Sequence, residues 1–284
     1  MKSRKLPLLS LLVFSTVALS GCYFKIGPWE FGHKEEEQQG GGGNGNTPTP
    51  QIGTYYDSIT ENMFGDTLLN ALHSIIDNDG VVVSYDWSRF EYADEDPNNS
   101  KNVILIYART SVAKTAHVSG SKGWNREHTF PDSKMSSSQA DKDNHIIYAS
   151  DNKVNGARGN IKMGVVTGGS VVQDYNGNAT TCRKDSQHFD PNNLSRGIVA
   201  RTTMYAAAMY GYSVLDNFES YETLINWHLE NAVTDFDIAR NEKVYTKQKN
   251  RNPFVDHPEY ACKIWGTKSA ETRSACQRAN YAVE

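Results

Sequence analysis

Glu127 and His128 stand side by side in the stretch Gly123–Ser133, with Arg126 before them and Pro131 after. A carboxylate next to an imidazole has the makings of metal-assisted phosphodiester hydrolysis. That reaction needs a base to activate water, a cation to neutralise charge on the phosphate, and stabilisation of the leaving oxygen. Histidine ionises at about 6.5, so His128 can be the base at neutral pH. Glu127 offers a hard oxygen suited to Mg2+ or Ca2+. A second stretch, Asp151–Asn160, starts 28 residues downstream and adds Asn155, a neutral oxygen ligand. Arg126 and Arg158 are candidates to hold phosphate oxygens. The pair alone is a weak signal, because neighbours on a strand point to opposite faces. Both can serve one metal only where the strand ends or twists, and Pro131 marks such an end.

The surrounding sequence must position these groups. Gly123–Thr129 reads as extended, and Asp141–Tyr148 as a second extended segment returning beside it. Ser150 or Asp151 can cap a short helix running through Arg158, with Gly159 ending it. On that helix Asp151, Asn155 and Arg158 share a face. Upstream, Leu68, Leu69, Leu72, Ile75 and Ile76 give a helical stripe within Thr67–Asp77, with Gly80 as its stop. His73 lies on it and reads as structural. The β-branched runs Val81–Val83 and Val103–Tyr107 read as strands. Asp94, Glu95 and Asp96 fall in a polar loop and read as a solvated turn rather than a calcium cluster. Downstream, Gly168-Gly169 marks a turn. Helices follow over Leu194–Tyr210, Tyr221–Leu229 and from Thr234, a capping residue, to about Lys249. Asn250–Pro253 ends the last, and the tail beyond reads as irregular.

The 284-residue chain is long enough for one large domain, and its hydrophobic content of 38% supports a core. A net charge of −4 argues against a general polyanion-coating protein. The charge is uneven. Residues 122–201 carry 11 Lys/Arg against 8 Asp/Glu, so the positive block is the one containing both motifs.

The N-terminus reads as a targeting segment: Lys2, Arg4 and Lys5, then the apolar Leu6–Leu19, then Leu19-Ser20-Gly21-Cys22. The last four residues resemble a bacterial lipobox, which implies cleavage after residue 21 and lipid attachment at Cys22. Residues 22–53 read as a tether, rich in Glu, Gly, Asn and Pro. The folded domain is expected over 54–284. Cys182, Cys262 and Cys276 remain, enough for one disulfide and one free thiol. Their spacing allows Cys262–Cys276 or Cys182–Cys262, and no pair has zinc-knuckle spacing.

Trp124-Asn125-Arg126-Glu127-His128 followed by Pro131 resembles the signature of the bacterial endonuclease I family of secreted and periplasmic nucleases. Three further blocks fall in the family's order. The first holds Asp143 and His145, then Asp151, Val154-Asn155, Arg158 and Asn160. The second is Ser195–Thr202. The third runs from Arg240-Asn241 through Gln248 to Asn250–Phe254. Together they span roughly residues 55–265. The resemblance implies a single α+β domain with a ββα-metal (His-Me) finger and a helix-rich C-terminal half. It implies His128 as general base and Glu127 and Asn155 as ligands of a divalent cation, Mg2+ with Ca2+ or Mn2+ as alternatives. It further implies sequence-nonspecific cleavage of DNA and RNA with 5′-phosphate products. Where the family has Asn-Leu-x-Pro after Asp-x-His, this chain has Ile146-Ile147-Tyr148-Ala149. Asp143 and His145 read as structural, and one of Arg196 and Arg201 as a phosphate contact. The expected protein is an exported monomer held to the membrane by its lipid. The competing reading is a catalytically idle surface lipoprotein that binds nucleic acid or an envelope partner on the same scaffold.

Overall fold

Two helices open the described chain, α1 (Ile52–Tyr55) and α2 (Gly65–Asp79). On α2, Leu68, Leu72 and Ile76 fall on one face and are fully buried, as their spacing predicts. The structure is a computed structural model that describes residues 52–79, 83–117 and 122–284. The signal, the Cys22 lipid site, most of the tether, Gly80 and two of the three valines at 81–83 lie outside those residues. Val83 itself has no regular structure.

Helix α3 (Trp87–Ala93) leads into a small antiparallel sheet of β1 (Glu95–Asp96), β2 (Asn99–Ile104) and β3 (Ser111–Ala113), in that order. The solvated turn expected at Asp94–Asp96 is corrected here. Asp94 is fully buried, accepting from Arg240 Nε at 2.6 Å and from the Ala149 amide at 2.6 Å. Glu95 pairs with Lys114 and Lys243. The strand expected to run to Tyr107 ends at Ile104. Beyond it the Ile106 amide donates to the Ala149 carbonyl, so the chain leaves its own sheet to brace a neighbouring strand.

That neighbour belongs to the hairpin at the centre of the molecule, β4 (Trp124–His128) paired antiparallel with β5 (Ile147–Asp151). The register sets Glu127 opposite Tyr148 and His128 opposite Ile147. Paired residues share a face. Trp124, Ile147 and Ala149 therefore bury together in a small apolar cluster with Phe90, Val103 and Leu105. Tyr148 turns the other way into the main core. With apolar packing on both faces, every residue of β5 is buried. The second strand begins six residues later than expected, because single 3-10 turns at Asp132–Lys134 and Ala140–Lys142 occupy the intervening chain.

Helix α4 (Asn152–Arg158) follows β5 without a break. Next comes a four-stranded sheet that the polar sequence concealed. It contains β6 (Lys162–Met163), β7 (Ser170–Gln173), β8 (Ala179–Lys184) and β9 (His188–Asp190), in spatial order β6-β9-β8-β7. The helical half begins with α5 (Asn193–Tyr210), capped by the Asn192 side chain and closed by Gly211. It is buried along nearly its whole length and packs against α2, α6 (Tyr221–Glu230) and the later short helix Pro253–Asp256. Helix α7 (Asp235–Gln248) starts with the expected Thr234 cap, reciprocated by Asp237. The tail is not irregular. It forms α8 (Pro253–Asp256), α9 (Tyr260–Trp265) and α10 (Ala270–Arg278), with Cys262 bonded to Cys276 and Cys182 a buried free thiol. The fold is mixed α+β with a helix-rich C-terminal half.

Candidate active site

The site is built on β4, β5 and α4. Gly123 enters β4 at φ +83°, a backbone conformation that disfavours side chains. Asp151 ends β5 and caps α4. Its Oδ1 accepts from the amides of Lys153 (2.9 Å) and Val154 (3.0 Å), and its Oδ2 from the amide of Tyr175 (3.1 Å). Strand and helix thus share one residue, which fixes the angle at which α4 presents Asn155. Gly159 closes α4 at φ +53°.

Glu127 faces α4. Its Oε1 accepts from the Tyr107 hydroxyl at 2.6 Å and lies 3.4 Å from Arg158 Nη1. Both contacts fall on Oε1, which leaves Oε2 for another partner. Burial pushes the carboxyl up to about 7, against the opposing pull of Arg158 and of the Tyr107 hydrogen bond. Asn155 Nδ2 donates to Asn125 Oδ1 at 3.0 Å, and Asn125 Nδ2 donates to Asn152 Oδ1 at 2.6 Å. With its nitrogen engaged, Asn155 keeps its oxygen available. Asn125 is two residues before Glu127 and so on the same face of β4.

His128 points the other way, from the last position of β4. Its ring stacks on Tyr85, with centroids 6.0 Å apart and planes at 16°. Its Nε2 lies 3.2 Å from the Asp141 carbonyl. A carbonyl only accepts, so Nε2 carries the hydrogen and Nδ1 the lone pair. The side chains of Asp132 and Asp141 flank the same ring, with one ligand atom of each of the three residues within 4.8 Å of the others.

The two arginines expected on phosphate are committed elsewhere. Arg126 lies over the rings of Tyr85 (3.8 Å) and Trp87 (4.2 Å) and donates to the Tyr85 carbonyl at 2.6 Å. It holds in place the ring on which His128 rests. Arg158 is 2% exposed. Besides Glu127, it donates to the carbonyls of Thr129 (2.9 Å) and Gly159 (3.0 Å) and to Asn217 Oδ1 (2.7 Å). Its buried guanidinium ties the end of β4 to α4.

The remaining motif residues form the support. Asp143 Oδ2 accepts from the hydroxyls of Tyr205 and Tyr210, each at 2.7 Å, and Oδ1 from Gln248 Nε2 at 2.6 Å. His145 lies 3.0 Å from the Asn250 carbonyl, and burial lowers it to about 4, so it is neutral. Arg240 donates to Asp94 and to the Ile147 carbonyl while stacking on Tyr148 at 3.5 Å. Arg201 is buried against Asp237 and the Asn231 carbonyl, and Arg196 grips Asp190 with two hydrogen bonds. Arg201 is thereby turned inward, whereas Arg196 is part-exposed and joins Asp190 through Nε and Nη2. His73 accordingly serves structure, 3.1 Å from the Ala208 carbonyl.

The sequence pattern of the endonuclease I family matches residues 64–259, a span that includes the hairpin, α4 and this whole support. The chain belongs to the endonuclease I family. It is 34% identical over 239 residues to an extracellular ribonuclease of Bacillus subtilis (strain 168), covering 77% of this chain and 80% of that protein. An extracellular ribonuclease of Bacillus amyloliquefaciens is 34% identical over 240 residues, with the same coverage of both chains. This endonuclease I homologue is accordingly a nuclease, a hydrolase of phosphodiester bonds, and nucleic acid is its substrate. Reading the sequence alone did not single out Tyr107, Tyr85, Asn125, Asp132 or Asp141. Strand alternation around Glu127 could have pointed to Asn125. Tyr107 carries no local signal, since it reaches Glu127 from outside the hairpin.

Proposed function

We propose that this protein is an exported, lipid-anchored, monomeric endonuclease that uses a divalent cation to cleave DNA and RNA without sequence preference. Its relatives' description as extracellular ribonucleases supports both export and activity on RNA. The observation that carries the reading is the division of labour across β4. Glu127 and Asn125–Asn155 lie toward α4, and His128 closes the strand with its lone pair free.

The donor set fits a hard cation. Among the described residues, the buried Glu127 carboxylate has Arg158, at 3.4 Å, as its one cationic neighbour at hydrogen-bonding range, and burial raises its pKa against the pull of that guanidinium. Glu127 Oε2 and Asn155 Oδ1 would hold Mg2+, with Ca2+ or Mn2+ as substitutes, and leave most of the coordination sphere to water and phosphate. When bound, the cation supplies charge neutralisation at the phosphate and the leaving oxygen. His128 Nδ1 accepts the proton of the attacking water, while Nε2–H to the Asp141 carbonyl and the Tyr85 ring fix its orientation. Attack by water leaves the 2′-hydroxyl unused, so either nucleic acid is a substrate and the product carries a 5′-phosphate. Contact with the backbone passes from Arg126 and Arg158 to the exposed Lys134 and Lys142, on the two 3-10 turns that flank His128. Affinity then falls with salt. The lipid at Cys22 would hold the domain at a membrane through the tether.

Incubation of the purified protein with plasmid DNA and with RNA, with Mg2+ and with EDTA, tests the reading. Cleavage of both in Mg2+ alone, lost on His128→Ala, is expected. Cleavage that survives EDTA, or His128→Ala, removes the assignment.

A further inference from the structure

The face of β4 opposite Glu127 gathers a second set of donors. His128 shares it with Asp132 and Asp141, whose carboxylates come from separate 3-10 turns. One ligand atom from each lies within 4.8 Å of the other two. Among the described residues neither carboxylate makes a hydrogen bond or ion pair through its side chain. Two carboxylates without side-chain partners among the described residues, gathered around one imidazole, form a donor set rather than a surface ion-pair network. We propose that His128, Asp132 and Asp141 form a second cation site, one that takes a borderline transition ion such as Zn2+ and silences the base.

The two faces of β4 differ in ligand chemistry. Glu127 and Asn155 offer oxygen only, which suits Mg2+ or Ca2+. Imidazole with two carboxylates suits Zn2+ and its neighbours in the first transition row, and it leaves a fourth position open. Ligands about 2.1 Å from Zn2+ stand about 3.4 Å from one another in a tetrahedron. Asp132 and Asp141 stand on 3-10 turns outside the strand, so closing the 4.8 Å set to that size takes rotation of these side chains and no movement of β4. A neutral imidazole has a single lone pair. A cation on His128 therefore occupies the pair that would otherwise accept the proton of water, and inhibition follows from occupancy alone. This inhibition rests on the reading of His128 as base, whereas the binding does not.

Calorimetric titration of Zn2+ into the full-length chain, with Mg2+ present, reads the site directly. Asp132→Asn, and the pair Asp132→Asn with Asp141→Asn, are expected to weaken binding tenfold or more. Asn155→Ala is expected to leave it unchanged. In plasmid cleavage, the Zn2+ concentration that halves the Mg2+-dependent rate should rise by a similar factor in Asp132→Asn. Zn2+ binding that is indifferent to both aspartate substitutions, or that disappears with Asn155→Ala, overturns the proposal. Because heat is read independently of turnover, a protein that binds Zn2+ as expected but cleaves nothing would remove the base and keep the site.

Discussion

The Tyr107 hydroxyl donates to Glu127 Oε1 at 2.6 Å, joining a residue beyond β2 to the carboxylate at the centre of the hairpin. With Arg158 on the same oxygen, it favours the ionised form of a group that burial drives toward neutrality. If Glu127 holds the proposed divalent cation, a proton competes with it for that carboxylate. In the intact protein, apparent Mg2+ affinity should therefore rise with pH and level off above about 7. Tyr107→Phe removes the hydrogen bond and lifts the carboxyl further. A hydrogen bond to a charged group contributes about 1.5–3 kcal/mol. The Mg2+ concentration for half-maximal cleavage should rise about tenfold or more at pH 7, and the pH profile should move to higher pH. A profile unmoved by the substitution would show that Glu127 does not bind the cation.

Asn125 acts through Asn155. It accepts from the Asn155 amide and donates its own amide to Asn152, so the Asn155 oxygen has one orientation. Partners that orient a metal ligand are commonly worth 10- to 100-fold in metal affinity. Asn125→Ala should raise the half-saturating Mg2+ concentration by about tenfold and leave the rate at saturating Mg2+ close to that of the parent. A fall in the saturated rate with unchanged Mg2+ dependence would instead place Asn125 on the substrate.

Arg158 is a different kind of residue, one whose loss is felt as stability. Arg158→Ala would leave Glu127 buried without its countercharge and strip donors from the Thr129 and Gly159 carbonyls and from Asn217. Breaking a buried pair by removing one partner costs about 3–5 kcal/mol. Urea unfolding should show a loss of that order. Arg126→Ala, at a half-buried stacked position, should cost less and act mainly on the saturated cleavage rate, because it loosens the ring beneath His128. A small stability loss for Arg158→Ala together with weaker substrate binding would restore its role as a phosphate contact.

These contrasts show what local sequence could and could not convey. The α4 cap, the α2 stripe and the Thr234 capping box are decided within a turn of chain, and Asp151, Leu68-Leu72-Ile76 and Thr234-Asp237 read directly. Glu127, His128 and Asn155 stand out in the sequence because they sit in short motifs. What escaped is non-local. Asp94 read as a solvated loop because its partner, Arg240, lies 146 residues away. Arg126 and Arg158 read as phosphate ligands because a guanidinium's commitment depends on what the fold stacks against it. Strands β6 to β9 are short and polar, without the apolar alternation that marks a strand. The tail escaped because its helices are short and are held by packing on α6 and by the Cys262–Cys276 bond.

Acid should unfold this protein through its buried histidines. His145 and His228 are enclosed and neutral, facing the carbonyls of Asn250 and Pro258. Burial lowers them to about 4 and about 3, against about 6.5 in an unfolded chain. The sign follows from which state binds the proton first. Above about 6.5 both states are neutral and the histidines give no pH dependence. As pH falls below 6.5 the unfolded chain is protonated while the folded one is not, so stability declines until the folded values are reached. Each unit of separation is worth about 1.4 kcal/mol, which makes the combined loss several kcal/mol between pH 6.5 and 4. His228→Gln keeps a donor for the Pro258 carbonyl and removes one titrating group. Its stability at pH 7 should lie within about 1–2 kcal/mol of the parent, the usual range for a single substitution. Its decline toward pH 4 should be shallower, as read by urea unfolding across that range. An equal slope in parent and variant would mean that His228 is already protonated in the folded state.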